Sequence, residues 1–319
     1  MNRLSFFLTI MLFLPSVLLM QVMLTGSPEL KQLVNAHESI EQLTDVAKLQ
    51  TTMDELGISK TILHGIPSDF LRYNPDKAID IGDVGENHEY LYQTTETFPA
   101  EFDFFCAIDP SDPRREEVWA DCDENGAVGV KFYGGYSYSY EIPLDDPSLY
   151  KFYTLLEEAD VPLMMPVNTS LYQDELERVL VNHPDLNVIC AHYCSSSKDL
   201  DRLDTLLSNH DNLYFDTSWG HKSFVEEGLL TITANHESFH DFFIKHQDRA
   251  IFGTDNIVTS YEGKNVKFLV SLYSDYIAML TEANLFPSAI DEQTLYRGLG
   301  LPYSVKRKVF WQNAEDLLK

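Results

Sequence analysis

The stretch Ala-Val-Gly-Val-Lys-Phe at residues 127–132 decides the expected fold. It is short, apolar and rich in β-branched residues, which is typical of a strand buried on both faces of a parallel sheet. A helical pattern follows at residues 148–159, as a parallel strand with its crossover helix requires. Seven further runs of this kind occur, at residues 33–37, 61–64, 102–108, 161–167, 186–191, 212–216 and 249–253.

Eight apolar runs separated by helical patterns predict an α/β fold with parallel strands. Their number and spacing fit a (β/α)₈ TIM-like barrel, in a single domain over residues 33–319. An open, doubly wound sheet is the alternative. The segment 217–248 is long for one crossover and predicts an extra helix. The other predicted helices cover residues 44–57, 172–182, 198–207, 266–280 and 305–319.

The chain is strongly acidic, with 50 Asp and Glu against 23 Lys and Arg and a formal net charge of -27 over 319 residues. A surface of this sign repels phosphate, so the composition argues against nucleic acid as a partner. A hydrophobic content of 44% excludes a wholly disordered chain. The sequence leaves open whether the protein forms a homo-oligomer.

The first 26 residues differ from the rest of the chain. A cationic start at Arg3 is followed by an almost uniformly apolar run at residues 6–24, which predicts a signal peptide or an N-terminal membrane anchor. Both alternatives place the barrel outside the cytoplasm, as an exported (periplasmic or secreted) or a membrane-anchored protein. The membrane is then a partner only through an uncleaved N-terminal segment.

The four cysteines, Cys106, Cys122, Cys190 and Cys194, are too few for a disulfide framework in a chain of this length. Because Cys190 ends an apolar run, we expect it to be a small buried hydrophobic residue and not a zinc ligand.

Polar side chains stand at the ends of several predicted strands. In a (β/α)₈ barrel these ends meet at one mouth, where catalytic and binding residues lie. Convergence of imidazole, amine and carboxylate groups there would form an acid–base or metal site. The candidates are His37 and Ser39, His64, Lys131, Asn168, His192, Asp216 and Asp255. For Asp216, we expect a role in organising the loop after its strand.

Three motifs extend this pattern: Ala191-His192 after the sixth run, Phe252-Gly253-Thr254-Asp255 after the eighth, and Asn313-Ala314-x-x-Leu317 near the end. With these motifs, the chain after residue 33 resembles the amidohydrolase superfamily. It is most similar to the amidohydrolase-related branch of metal-dependent hydrolases, which also contains lactonases and non-oxidative decarboxylases.

The resemblance implies a metal-ligand set that is degenerate here. The family's first strand ends in His-x-His, but this chain has His37-Glu38-Ser39, and Pro166 stands where the fifth strand usually ends in His. His192 and Asp255 match family positions. A reduced set of His37, Asp255 and His192, with His64 as a substitute ligand, would then bind one divalent ion, zinc or manganese.

The resemblance also implies catalytic roles for Asp255, His192 and Lys131. Three functions stay open: a hydrolase of a small organic ester, lactone or amide that uses metal-bound or Asp255-activated water, a metal-independent lactonase-type enzyme, and a non-catalytic exported barrel that binds a ligand. A decarboxylase-like lyase is a further alternative. His236, Glu237 and His240 match a His-Glu-x-x-His zinc pattern, but their polar surroundings favour a solvated helical face.

Overall fold

A computed structural model describes residues 32–67, 84–136 and 142–318. Its main sheet has nine strands, in the spatial order β8-β7-β6-β5-β4-β3-β2-β1-β9, and all neighbouring strands are parallel. The strands are β1 Val34–Ile40, β2 Lys60–His64, β3 Phe102–Ile108, β4 Gly129–Phe132, β5 Leu163–Met165, β6 Val188–Cys190, β7 Leu213–Asp216, β8 Ala250–Ile251 and β9 Asn256–Val258. The first eight coincide with the predicted runs.

Closure of the sheet depends on the segment that links β8 to β9. The backbone N–H of Ala36 donates to the carbonyl of Phe252 at 2.9 Å, and the N–H of Asp255 donates to the carbonyl of His37 at 2.7 Å. β9 then continues beside β1, with Glu38 opposite Asn256. The segment after β8 is thereby hydrogen-bonded to β1, and the predicted (β/α)₈ barrel is confirmed.

Helices follow the strands in the expected alternation. They are α1 Val46–Leu56, α2 Gly85–Thr97, α3 Arg115–Glu124, α4 Tyr150–Glu158, α5 Thr169–Asn182, α6 Leu200–Asn209, α7 Lys222–Ala234, α8 His236–Lys245, α9 Val266–Thr281, α10 Tyr303–Arg307 and α11 Asn313–Leu317. A π-helical turn, Lys308–Gln312, joins α10 to α11. The long crossover after β7 contains two helices, α7 and α8, so the predicted extra helix is present. An antiparallel hairpin, β10 Leu285–Pro287 with β11 Leu295–Arg297, was not predicted.

The barrel interior away from the mouth is filled by apolar side chains. Met164 and Ile189 belong to this cluster together with Ala314 and Leu317 of α11. Asn313 donates from Nδ2 to the carbonyls of Gln247 and Ala250 at 2.8 Å each. The terminal Asn-Ala-x-x-Leu motif therefore caps the end of the barrel opposite the site.

The cysteines correct one expectation. Cys190 is fully buried, as predicted, but its sulfur is bonded to that of Cys194, and Cys106 is bonded to Cys122. Buried runs alone cannot reveal such pairs, because a small hydrophobic residue and a half-cystine occupy similar apolar surroundings.

Within the described ranges, none of the helices is both long enough and apolar enough to span a bilayer. The predicted signal or anchor, residues 1–26, lies outside the described residues.

Candidate active site

Four of the strand-end side chains meet at the mouth of the barrel around Asp255. The Oδ1 atom of Asp255 lies 2.7 Å from His37 Nε2 and 3.8 Å from Lys131 Nζ, and its Oδ2 atom lies 3.5 Å from His192 Nε2. Lys131 Nζ also contacts His37 Nε2. The structure thus brings His37, Lys131, His192 and Asp255 into one cluster, which we call the mouth cluster.

The backbone around Asp255 is shaped to present its carboxylate. Asp255 has a φ of 47°, in the left-handed region that few residues with a side chain adopt. Gly220 faces it, and a Cβ atom added there would lie 2.7 Å from Asp255 Oδ2. The carboxylate therefore fits only against a glycine at position 220.

Asp216 is the residue whose importance the sequence understated. Its Oδ2 atom lies 2.5 Å from His37 Nδ1, and its Oδ1 atom accepts hydrogen bonds from the His192 N–H at 2.7 Å and from the Ser218 hydroxyl at 2.8 Å. It is fully buried. Asp216 does organise its loop, as expected, but it also joins the two imidazoles of the cluster. Its position at the end of β7 is the signal that could have indicated this.

Ser218 fixes the tautomer of His192. The ionised carboxylate of Asp216 can only accept hydrogen bonds, so the Ser218 hydroxyl donates to it. The Ser218 oxygen is then the acceptor for Nδ1–H of His192, at 2.9 Å. Nε2 of His192, which faces Asp255, is left unprotonated.

The backbone that carries His192 is unusual. Residues His192, Tyr193, Cys194 and Ser195 all have φ between 53° and 59°, a left-handed turn directly after β6. Such backbone costs about 1–2 kcal/mol per residue. Strain of this kind persists only where the surroundings hold it in place, and it is common at functional sites.

His64 and Ser39 do not complete a metal-ligand set. His64 is buried, and its Nε2 donates to the carbonyl of Ala36 at 2.9 Å. Its Nδ1 has no partner among the described residues. The hydroxyl of Ser39 donates to the carbonyl of His64 at 2.9 Å. The centre of the His64 ring lies 4.5 Å from that of His37, so His64 packs beside the cluster, and its Nε2 is occupied by the Ala36 carbonyl.

Burial and charge set the protonation of the mouth cluster. Burial opposes the charge on His37, but the carboxylates of Asp255 and Asp216 outweigh it and raise the pKa of His37. Burial acts against both carboxylates too, yet the neighbouring cations lower the pKa of Asp255 and bring that of Asp216 to about 2. Burial is the main cause that lowers the pKa of Lys131 and of His192. At neutral pH the two carboxylates are ionised and His192 is neutral.

The aromatic side chains near the mouth have separate roles. The Tyr133 hydroxyl donates to the carbonyl of Gly65 at 3.2 Å, and its ring centre lies 5.6 Å from Lys131 Nζ. Trp219 stacks on Tyr193 with ring centres 5.0 Å apart. Tyr133 therefore borders the cluster, whereas Trp219 packs behind the left-handed turn.

A second group of candidate metal ligands lies outside the mouth cluster. Among the residues that the structure describes, one group of three ligand atoms lies within 4.8 Å of one another, and it consists of His88, Cys106 and Cys122. Its two sulfurs form a disulfide. The Nε2 atom of His88 accepts from the N–H of Ala107 at 3.0 Å, so the proton is on Nδ1 and that nitrogen has no free lone pair for a metal.

The His-Glu-x-x-His pattern lies on α8, away from the mouth cluster. Glu237 is exposed there, and His240 pairs with the neighbouring Asp241 at 3.2 Å. This agrees with the predicted solvated helical face.

Comparison with known proteins identifies the family to which the chain belongs. Curated protein sequences give no match. Among solved structures, an uncharacterised TIM-barrel protein from Bordetella bronchiseptica shares 15% identity and a TM-score of 0.61, over 90% of this chain and 98% of that one. 4-Oxalomesaconate hydratase from Rhodopseudomonas palustris shares 15% identity and a TM-score of 0.56, over 90% and 95%. An amidohydrolase from Burkholderia multivorans with bound zinc shares 12% identity and a TM-score of 0.57, over 90% and 99%.

These likenesses establish the fold, and the sequence family comes from a separate match. The model of the amidohydrolase family matches residues 76–319, which is well over half of the chain. The segment includes the strand ends that carry Lys131, His192, Asp216 and Asp255. The chain belongs to the amidohydrolase family.

Proposed function

We propose that the protein is a hydrolase of a small organic ester, lactone or amide, in which side chains of the mouth cluster activate the attacking water. Family membership supports an amidohydrolase-like enzyme. The observation that carries the proposal is the unprotonated Nε2 of His192, which lies 3.5 Å from an ionised Asp255 at the strand-end mouth, where the two side chains are 21% and 24% exposed.

His192 is the better base of the two. The cations around Asp255 hold its pKa far below the ordinary range, so its carboxylate accepts a proton poorly at neutral pH. His192 is neutral there, and its tautomer is fixed by Ser218. The roles that the family resemblance implies are therefore revised: Asp255 orients the water, and His192 Nε2 takes its proton.

Lys131 and His37 supply the positive charge that the reaction needs. As the water oxygen attacks the carbonyl carbon, the carbonyl oxygen gains negative charge, which these two groups stabilise. When the tetrahedral intermediate collapses, the bond to the leaving oxygen or nitrogen breaks, and the proton on His192 passes to that atom. Asp216 stays ionised throughout and holds His37 in place at 2.5 Å.

A divalent metal is the cofactor that the family implies, but the donor set does not fit one. A catalytic zinc site needs about three protein ligands and one open position. At the expected ligand positions, the Ser39 hydroxyl is bonded to a backbone carbonyl and Pro166 has no donor atom. His37 Nε2 already contacts the Lys131 amine, which brings a cation of the chain's own to that nitrogen.

The experiment is a screen of the purified protein with dihydrocoumarin and 4-nitrophenyl acetate as lactone and ester probes. We expect turnover that is lost in His192→Gln and in Asp255→Asn and kept in the control His240→Gln, which changes a histidine on α8. Equal rates in all three variants would refute the assigned roles. Absence of turnover in the wild type with both probes, together with saturable binding of either one, would favour a ligand-binding barrel.

We also propose that the barrel works outside the cytoplasm. Two disulfides in the described part of the chain support this, because such bonds persist in oxidising compartments. Fractionation of cells that express the full chain tests it, and recovery of the protein in the cytosol with free thiols would contradict it.

A further inference from the structure

We propose that the Cys190–Cys194 disulfide is a covalent brace that positions His192 against Asp255. This inference rests on the proposed function, because it matters for catalysis only if His192 is the base. Cys190 and Cys194 would then be positioning residues that act through His192 and do not touch the substrate.

The disulfide encloses His192 within a very short loop. Cys190 is the last residue of β6, and Cys194 ends the sequence Cys-Ala-His-Tyr-Cys, with a Cα–Cα distance of 5.0 Å. Both cysteines are fully buried. The loop is thus tied at both ends, and His192 is its central residue.

The loop adopts a backbone that is uncommon for residues with a side chain. From His192 to Ser195 every φ is positive, although none of these residues is a glycine. Non-covalent contacts fix the far side of the turn: the N–H of Ser195 donates to the His192 carbonyl at 2.9 Å, and the Thr169 hydroxyl donates to the Cys194 carbonyl at 2.6 Å. The disulfide ties this turn back to the strand, so it selects the left-handed path over an ordinary one.

That path sets the direction of His192. Its backbone N–H donates to Asp216 and its Nδ1 faces Ser218, and with these two contacts in place Nε2 faces Asp255. If the disulfide were opened, the turn would relax to negative φ. The hydrogen bond from the His192 N–H to Asp216 would then be lost, and Nε2 would no longer face Asp255.

The second disulfide provides a matched control. Cys106 belongs to β3 and Cys122 to α3, so this bond joins a strand to the helix that covers it. Both cysteines lie in the packed layer between sheet and helices, and none of the mouth-cluster contacts involves them. Loss of this bond should lower stability without changing His192.

The test compares three forms of the full chain: wild type, Cys190→Ala/Cys194→Ala and Cys106→Ala/Cys122→Ala. Peptide mapping without reductant first establishes whether residues 190 and 194 are linked in the wild type. NMR with ring-labelled histidine then follows the His192 signal, which is assigned by its disappearance in His192→Gln. Hydrolysis of dihydrocoumarin is measured in parallel.

We expect the His192 signal to shift and broaden in Cys190→Ala/Cys194→Ala and to keep its wild-type position in Cys106→Ala/Cys122→Ala. We also expect kcat for dihydrocoumarin to fall at least about tenfold with little change in KM, because a displaced base slows the chemical step without weakening binding. An unchanged His192 signal, or free thiols at both positions in the wild type, would overturn the proposal.

Two further measurements keep the outcome decisive. If Cys190→Ala/Cys194→Ala does not fold, Cys106→Ala/Cys122→Ala protein, which keeps only the Cys190–Cys194 pair, is refolded with a phosphine reductant and then reoxidised with glutathione disulfide. Return of the His192 signal only after reoxidation supports the brace, and its presence before reoxidation overturns the proposal. If the wild type hydrolyses neither probe, the proposed function fails, whereas the NMR comparison still decides whether the brace exists.

Discussion

Asp216→Asn removes the buried charge that holds both imidazoles of the site, and its cost can be worked out from the structure. Asp216 is fully buried, and the pairing with His37 brings its pKa from an ordinary 3.8 to about 2. A shift of this size is worth about 2 kcal/mol of folding free energy. Because the pKa is lower in the folded state, this stability is present above pH 3.8 and is lost as the pH falls towards about 2.

The assay is urea unfolding of the wild type and the variant, followed by circular dichroism. At neutral pH we expect Asp216→Asn to lower the free energy of unfolding by about 2 kcal/mol, and we expect the difference to shrink as the pH falls below about 4. Asp211→Asn is the control, since the Asp211 side chain is fully exposed and, among the described residues, forms an ion pair only with Arg249. A loss no larger than that of the control, or a loss independent of pH, would refute the assignment of Asp216 as the centre of the network.

Three further changes test other parts of the structure. Gly220→Ala should slow hydrolysis of dihydrocoumarin much more than Gly57→Ala, because both positions have a φ of +70° but only the first lacks room for a Cβ atom; equal rates would contradict this. Burial lowers the pKa of His88 to about 4, so about 3 kcal/mol of folding stability should be present above pH 6.5 and be lost as the pH falls through about 4. Urea unfolding at several pH values should show this loss in the wild type, and its presence in His88→Gln as well would contradict the assignment. Cys106→Ala/Cys122→Ala opens a loop with a sequence separation of 16 and should cost about 3 kcal/mol in the same assay, and no loss would argue against that disulfide.

Much of the barrel could be predicted because parallel strands leave a local signature. A strand buried on both faces is an apolar run, and its polar end marks the mouth, which is how His37, His192 and Asp255 could be placed. α2 and α3 were missed, because α3 is dominated by charged residues such as Glu116 and Glu117 and shows little apolar periodicity.

The contacts within the site are non-local, and this limits what the sequence can reveal. Asp216 and His37 are 179 residues apart, and no local pattern indicates that they touch. The left-handed turn at His192 is equally hidden, since its residues have no special preference for positive φ. In contrast, the missing ligands at Ser39 and Pro166 were visible in the sequence, and the structure shows the Ser39 hydroxyl bonded to the backbone instead.

The central claim is that the mouth cluster activates water with protein side chains alone. The most direct measurement is the rate of dihydrocoumarin hydrolysis by protein treated with a strong chelator, with metal content determined on the same sample. We predict an unchanged rate in metal-depleted wild type and a lost rate in His192→Gln. A rate that disappears on chelation and returns with stoichiometric zinc or manganese would contradict the account.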